Sequence, residues 1–189
     1  MELQEHLTDF GNALVASAAA LVMLTWLWSR LGWVSALAFL ICLLGVIGSV
    51  VGLKLIAYDL LPPVNQTSIL ALSEGAPSGH TAFATIVYGS LAAILAVVDG
   101  RRRAWVAATV CVGVILAVAV TRVTLDRHTA GDVVAGLLVA GIGVGVFARA
   151  LALQVKDRPL GAMGVFLTMA VVTVGLLAAG VRFTALAFL

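Results

Sequence analysis

Long, nearly unbroken apolar runs alternate with short polar interruptions along the whole chain. A helix of roughly 20 apolar residues spans a bilayer. Six runs are of that order: residues 10–29, 33–57, 79–98, 104–121, 131–151 and 161–181. The interruptions are sharp. Ser29-Arg30 and Gly32 part the first two runs, and Pro62-Pro63 opens the longest polar loop, which closes near Gly75. Asp99-Gly100-Arg101-Arg102-Arg103 turns the chain between the third run and the fourth. Asp126-Arg127 breaks the next pair, and Lys156-Asp157-Arg158-Pro159 the last. Such runs are too long and too uniformly apolar for the alternating strands of a membrane barrel. The pattern predicts an all-α integral membrane bundle of six transmembrane helices, with residues 1–189 forming a single domain.

Composition agrees. Hydrophobic residues make up 62% of the chain and charged residues 11%, well under the roughly 25% charged residues of a soluble domain. A net charge of +2 with no basic arm argues against a nucleic-acid partner. Cys42 and Cys111 lie inside apolar runs without metal-ligand spacing, so they read as small packing residues. The N-terminus is acidic (Glu2, Glu5, Asp9), whereas a signal peptide starts with positive charge. Ala16-Ser17-Ala18 mimics a cleavage site, but the apolar stretch continues past it, and the first run is expected to remain as an anchor.

Charge asymmetry orients the bundle. Arg30, Arg101, Arg102, Arg103, Arg149, Lys156 and Arg158 fall on one side of a six-span layout; Lys54, Arg122, Arg127 and Arg182 fall on the other. The richer side is expected to be cytoplasmic, which puts both termini outside. Trp26, Trp28, Trp33 and Trp105 gather at the inner interface and read as lipid-facing anchors. Gly48…Gly52 and Gly141…Gly145 have the spacing that permits close helix contact in a membrane. Gly141-Ile142-Gly143-Val144-Gly145 has no strand before it and sits inside a span, so it is not a nucleotide loop.

The residues that carry chemistry collect at the outer face. Lys54 lies near the end of the second run, Ser78, Gly79 and His80 open the third, Arg122 closes the fourth, and His128 and Asp132 open the fifth. Ionisable groups at such depth are costly and mark function. Pro77-Ser78-Gly79 at a helix start presents free N–H groups to an anion, with Ser78 a good N-cap; the tripeptide also reads as an ordinary helix start. His128 and Asp132, at i and i+4, face the same way if the helix begins early enough. A carboxylate on one imidazole nitrogen fixes the tautomer and leaves the other free to attack; a satisfied interfacial histidine is the alternative. Arg122 offers a fork suited to phosphate, while Lys54 and Arg122 also have the stems to snorkel to the interface.

Pro77-Ser78-Gly79-His80 followed by Arg122-x5-His128-x3-Asp132 resembles the second and third signatures of the type-2 phosphatidic acid phosphatase superfamily. That family's first signature is Lys, six residues, Arg-Pro. Here Lys54 is followed by Leu61-Pro62, so the Arg is absent; Arg127, next to His128, is a candidate substitute. Thr121 stands where the third signature usually has Ser and keeps a hydroxyl. The resemblance implies a two-step, metal-independent reaction without cofactor. In it His128 becomes phosphorylated, Asp132 orients it, and His80 protonates the leaving oxygen and then assists water. Lys54, Ser78, Gly79, Arg122 and Arg127 are then the phosphate-binding set. The residue chemistry asks for the same division, because phosphoryl transfer is mostly positioning and charge stabilisation, and a single intramembrane carboxylate, Asp132, is too little for a magnesium site.

The implied setting is a bacterial inner membrane, with the site facing the periplasm or exterior, membrane lipids around it and a phospholipid or isoprenoid phosphate as substrate. Undecaprenyl diphosphate is the first expectation; phosphatidylglycerol phosphate, phosphatidate and lipid A are alternatives. A lipid phosphotransferase would carry the same motifs, and a non-enzymatic lipid-binding scaffold is a third reading. The loop from Tyr58 to Ala76 overhangs the site, and its Asn65, Gln66, Thr67, Ser73 and Glu74 are candidates for headgroup contact, or simply a solvated loop. Oligomeric state is not legible.

Overall fold

A computed structural model of the chain describes residues 2–99, 102–155 and 162–179. It is helical, with no strand among the described residues. A short helix α1 (Glu2–Thr8) and a 3-10 turn (Asp9–Gly11) precede α2 (Ala13–Leu31). There follow α3 (Trp33–Leu60), α4 (Gly79–Ile94, extended by a π-turn over Leu95–Asp99), α5 (Arg102–Thr124), α6 (Ala130–Gln154) and α7 (Met163–Ala178). Five helical stretches, α2 to α6, are long and apolar enough to cross a membrane; α7 is apolar but shorter. Lys156–Pro159 and Arg182 lie outside the described residues, as do Gly100 and Arg101 of the arginine turn.

Local chemistry sets the boundaries. Asn12 caps α2 by accepting the Leu14 N–H at 3.0 Å. Gly32 separates α2 from α3 at φ 90°, a left-handed conformation that glycine adopts without steric cost. Leu61 ends α3 in an extended conformation, as a residue before proline prefers. The first run begins three residues later than the apolar pattern predicts. Residues 2–11 instead form their own short helix and turn, which pack on α5 and α4.

The central helix is α4. Two-thirds of its apolar stretch is buried in the protein, against a third or less in α2, α3 and α6. It packs between α5 and α6; α2 packs on α3 and α7, and α3 on α6. Phe39 and Phe147 meet edge-on at 5.5 Å between ring centres. At the far end Ser35 donates to Gln154 Oε1 at 2.6 Å, joining the start of α3 to the end of α6. Large apolar side chains, among them Ile41, Leu55, Leu138, Ile142 and Val171, stay exposed on the outer helix faces, more than a soluble surface tolerates.

Two expectations need correction here. At Gly48, Gly52, Gly141 and Gly145 there is open space where a side chain would stand, so the paired glycines do not mediate packing among the described residues. The close contact belongs to Gly143 between them, where a Cβ would come within 2.6 Å of the Val46 side chain. Trp28, Trp33 and Trp105 are exposed as interfacial anchors would be, but Trp26 is half-buried against the core.

Candidate active site

The end of the bundle opposite Trp28 and Trp33 is built from helix termini. The start of α4 is pinned to the start of α6: the Ser78 N–H donates to the Asp132 carbonyl at 2.9 Å. The approach is close, since a Cβ on Gly136 would stand 2.7 Å from the Ser78 carbonyl oxygen. Ser78 occupies the N-cap position, but its hydroxyl makes no capping bond; it hydrogen-bonds the Thr81 hydroxyl at 3.0 Å instead. The first intrahelical bond of α4 runs from the Ala82 N–H to the Ser78 carbonyl. The N–H groups of Gly79, His80 and Thr81 therefore have no partner within the helix, as at any helix N-terminus, and are available to an anion.

The turn between α5 and α6 delivers the second histidine. The Arg122 carbonyl accepts the N–H groups of both Arg127 (3.1 Å) and His128 (3.2 Å), and Asp126 sits at φ 52°. Aspartate is among the few non-glycine residues that visit this left-handed region readily, so the chain can reverse within Leu125–His128. His128 lies outside α6. Thr129 is the N-cap, accepting the Asp132 N–H while Asp132 accepts the Thr129 N–H, both at 3.1 Å. This capping box folds the carboxylate back past the helix start. His128 and Asp132 thus meet through a cap, and not as neighbours on a helix face.

His128 is nearly buried, with Nδ1 3.4 Å from Asp132 Oδ2. That separation is ion-pair distance and too long for a well-made hydrogen bond. Nδ1 faces the carboxylate, which favours its protonated tautomer and leaves Nε2 with the lone pair. Burial pushes the imidazole below its ordinary pKa; Asp132 opposes this, and the positive charges of Arg122 and Lys54 push it down again. The neutral, nucleophilic form therefore prevails at neutral pH. Gly75 lies against the ring, where a Cβ would stand 3.1 Å from Nδ1.

Asp132 is fully buried. Its Oδ1 accepts the Ser73 N–H at 2.8 Å, and its Oδ2 accepts the Ser73 hydroxyl at 2.6 Å and the Thr129 N–H. Ser73, a headgroup candidate by sequence, is wholly buried and engaged with Asp132, which removes it from that role. Arg122 donates from Nη1 to the Thr8 hydroxyl at 3.3 Å, while its Nε is buried without a hydrogen-bond partner among the described residues, an arrangement that leaves a donor for an anion. Lys54 and Arg122 each lie within electrostatic reach of both histidines, the histidines within reach of each other, and Asp132 within reach of His128 and Lys54. Lys54 is half-buried on α3, six residues before the helix ends. Arg127 is exposed on the turn, and Arg122 feels its charge. Leu61 contributes no polar side chain.

A cavity of about 680 Å³ opens beside His128, lined by Asn65, Thr67, Glu74, Val123 and Asp126 among others. The long loop thus forms one wall. The N-terminal segment forms a strap that sequence reasoning missed. Besides Thr8 on Arg122, a Cβ on Gly11 would stand 2.5 Å from the His80 carbonyl oxygen, and the Tyr88 hydroxyl donates to the Phe10 carbonyl at 3.4 Å. No periodicity marks such a segment. The capping box was detectable, because Thr129-x-x-Asp132 is its sequence pattern.

The PAP2 superfamily model matches residues 33–156, and the chain belongs to this superfamily. The matched stretch holds Lys54, Pro77–His80 and Arg122 to Asp132. Its members are phosphatases, and membership together with the apolar helices supports a multi-pass membrane protein acting on lipid-like phosphates. Neither the comparison with curated proteins nor that with solved structures yields a match.

Proposed function

We propose that the chain is a metal-independent membrane lipid phosphatase working through a phosphohistidine. The observation that carries this reading is the meeting of His80, Arg122, His128 and Asp132 at one bundle end, with His128 backed by a buried carboxylate. His128 Nε2 attacks phosphorus, the bond to the lipid oxygen breaks, and His80 supplies that oxygen with a proton. Water then attacks phosphorus, the P–N bond breaks, and His80 takes the water proton as inorganic phosphate leaves. Lys54, Arg122, the Ser78 hydroxyl and the free N–H groups of Gly79 and His80 hold the equatorial oxygens, where charge accumulates. Arg127 is the proposed substitute for the arginine missing at Leu61.

All of residues 1–189 belong to one domain in this reading, with α7 as a sixth span. The site faces the periplasm or exterior of a bacterial inner membrane, where a headgroup reaches water while its tail stays in lipid. Undecaprenyl diphosphate is the first substrate to test. The cavity supports a second reading, a less charged substrate such as a lipid monophosphate: among the described residues its lining carries Glu74 and Asp126 but neither lysine nor arginine, and the Arg of the first signature is absent.

Phosphate release from a panel of lipid diphosphates and monophosphates in detergent tests the function. Acceptor-dependent product without free phosphate would identify a phosphotransferase, and binding without turnover a scaffold. His80→Ala is expected to lower kcat about 100-fold, as loss of a general acid does; steady-state kinetics on the same panel measures it. Activity should persist in EDTA. The oxygens of Asp132 are already taken by Ser73 and Thr129, and the phosphate ligands proposed are cations and N–H groups. Complete loss in EDTA, restored by a divalent ion, would contradict the mechanism.

A further inference from the structure

We propose that Ser73 is a positioning residue for phosphoryl transfer, acting through Asp132, and that it makes turnover depend on how the loop 69–76 is seated. The proposal rests on His128 as nucleophile and Asp132 as its orienting acid. Ser73 is fully buried, and its N–H and O–H reach the two oxygens of one carboxylate, at 2.8 and 2.6 Å. Two donors from one residue fix the plane of that carboxylate. The Gly75 N–H donates to Ser73 Oγ at 3.2 Å; this occupies a lone pair and leaves the hydroxyl proton for Asp132. The oxygen bound by the hydroxyl is the one that faces His128 Nδ1.

The same stretch is stitched to α6. The Thr129 hydroxyl donates to the Ala71 carbonyl at 2.6 Å and the Ala130 N–H to the Ile69 carbonyl at 2.7 Å. Gly131 fits under the loop, since a Cβ there would come within 2.5 Å of the Ala71 carbonyl oxygen. Gly75 then packs on the imidazole itself. Residues 71–75 therefore touch both the carboxylate and the ring, while Ile69 and Glu74 of the same loop line the cavity. A loop displaced at the cavity would carry the carboxylate clamp with it.

The test uses the full chain in detergent. Ser73→Ala removes the hydroxyl and keeps the backbone bond; Ser73→Cys, of similar shape but a weak donor, provides a second variant should the first fold poorly. With phosphatidate or whichever panel lipid is turned over, kcat of Ser73→Ala should fall about 10- to 100-fold while KM stays within about twofold, with Ser73→Cys between. The His128 resonance of histidine-labelled protein, assigned by its loss in His128→Asn, should titrate about half a unit higher in Ser73→Ala, because Oδ2 loses the donor that shares its charge. Unchanged kcat per folded molecule and an unmoved His128 titration would overturn the proposal, even if the melting temperature drops. Should wild type hydrolyse no lipid phosphate, the functional reading fails but the titration still decides the clamp: a shifted His128 upholds it, and an indifferent one ends it.

Discussion

His128→Ala should release no phosphate above background from any lipid that the wild type hydrolyses, a loss of ~10⁴-fold or more, as expected when a covalent nucleophile is removed. Neither Asp132 nor His80 is placed to take over. Asp132 has both oxygens hydrogen-bonded to Ser73 and Thr129, and His80 sits on the first turn of a different helix. The substitution should spare the fold, since Thr129 and Asp132 close the α6 cap without the imidazole. Chemical trapping supplies the second half of the check. Wild type quenched during turnover with radiolabelled substrate should carry an acid-labile, alkali-stable phosphoryl group, and His128→Ala should carry none. Equal labelling of both proteins would remove His128 from the nucleophile role. The pH profile bears on the same residue. Because burial lowers its pKa, the neutral imidazole persists as pH falls through the ordinary histidine value near 6.5.

Asp132→Asn should lower kcat by ~10³-fold or more, an effect of the kind seen when a triad carboxylate becomes an amide. The reason is donor counting. Oδ1 accepts one N–H, and Oδ2 accepts a hydroxyl and another N–H while facing His128. An amide has one oxygen and one NH2. Whichever way it turns, its NH2 meets an N–H, either that of Ser73 or that of Thr129, and a buried donor goes unmet at about 1–3 kcal/mol. Turned with NH2 toward His128, it also holds the imidazole in the wrong tautomer. Asp132→Asn should therefore lose thermal stability as well as turnover, and Asp132→Glu should recover little of either because the cap geometry is tight. Kinetics alongside a melting measurement in detergent checks both; kcat within about fivefold of wild type would exclude the orienting role.

Much of the architecture was readable because apolar length is a direct physical code. A helix of given rise needs a given number of apolar residues to cross hydrocarbon, and five of the six runs appear as helices of that kind. Polar interruptions fell where helices end, because Gly32, Pro62-Pro63 and Asp126 each impose a backbone that a helix cannot continue. The strap over residues 2–11 was missed for the complementary reason. A seven-residue helix has no apolar signature of its own and exists through its contacts with α4 and α5.

The chemistry divides along the same line. Residue types and spacing already named His80, Arg122, His128 and Asp132, since few other roles suit ionisable groups placed among such apolar runs. Spacing alone left open how they meet. Four residues apart gives a shared helix face only if the helix starts before His128; Thr129 begins it after His128, and the capping box returns the carboxylate to the imidazole. Ser73 lies 59 residues before Asp132 in the chain, and Gly11 and Thr8 are farther still from His80 and Arg122. Local periodicity carries no information at those separations. Membrane span and candidate chemistry follow from side-chain polarity one residue at a time. Which serine holds the aspartate, which glycine admits the backbone beside the site and which loop walls the cavity depend on three-dimensional packing, because each is a contact between segments that only folding brings together.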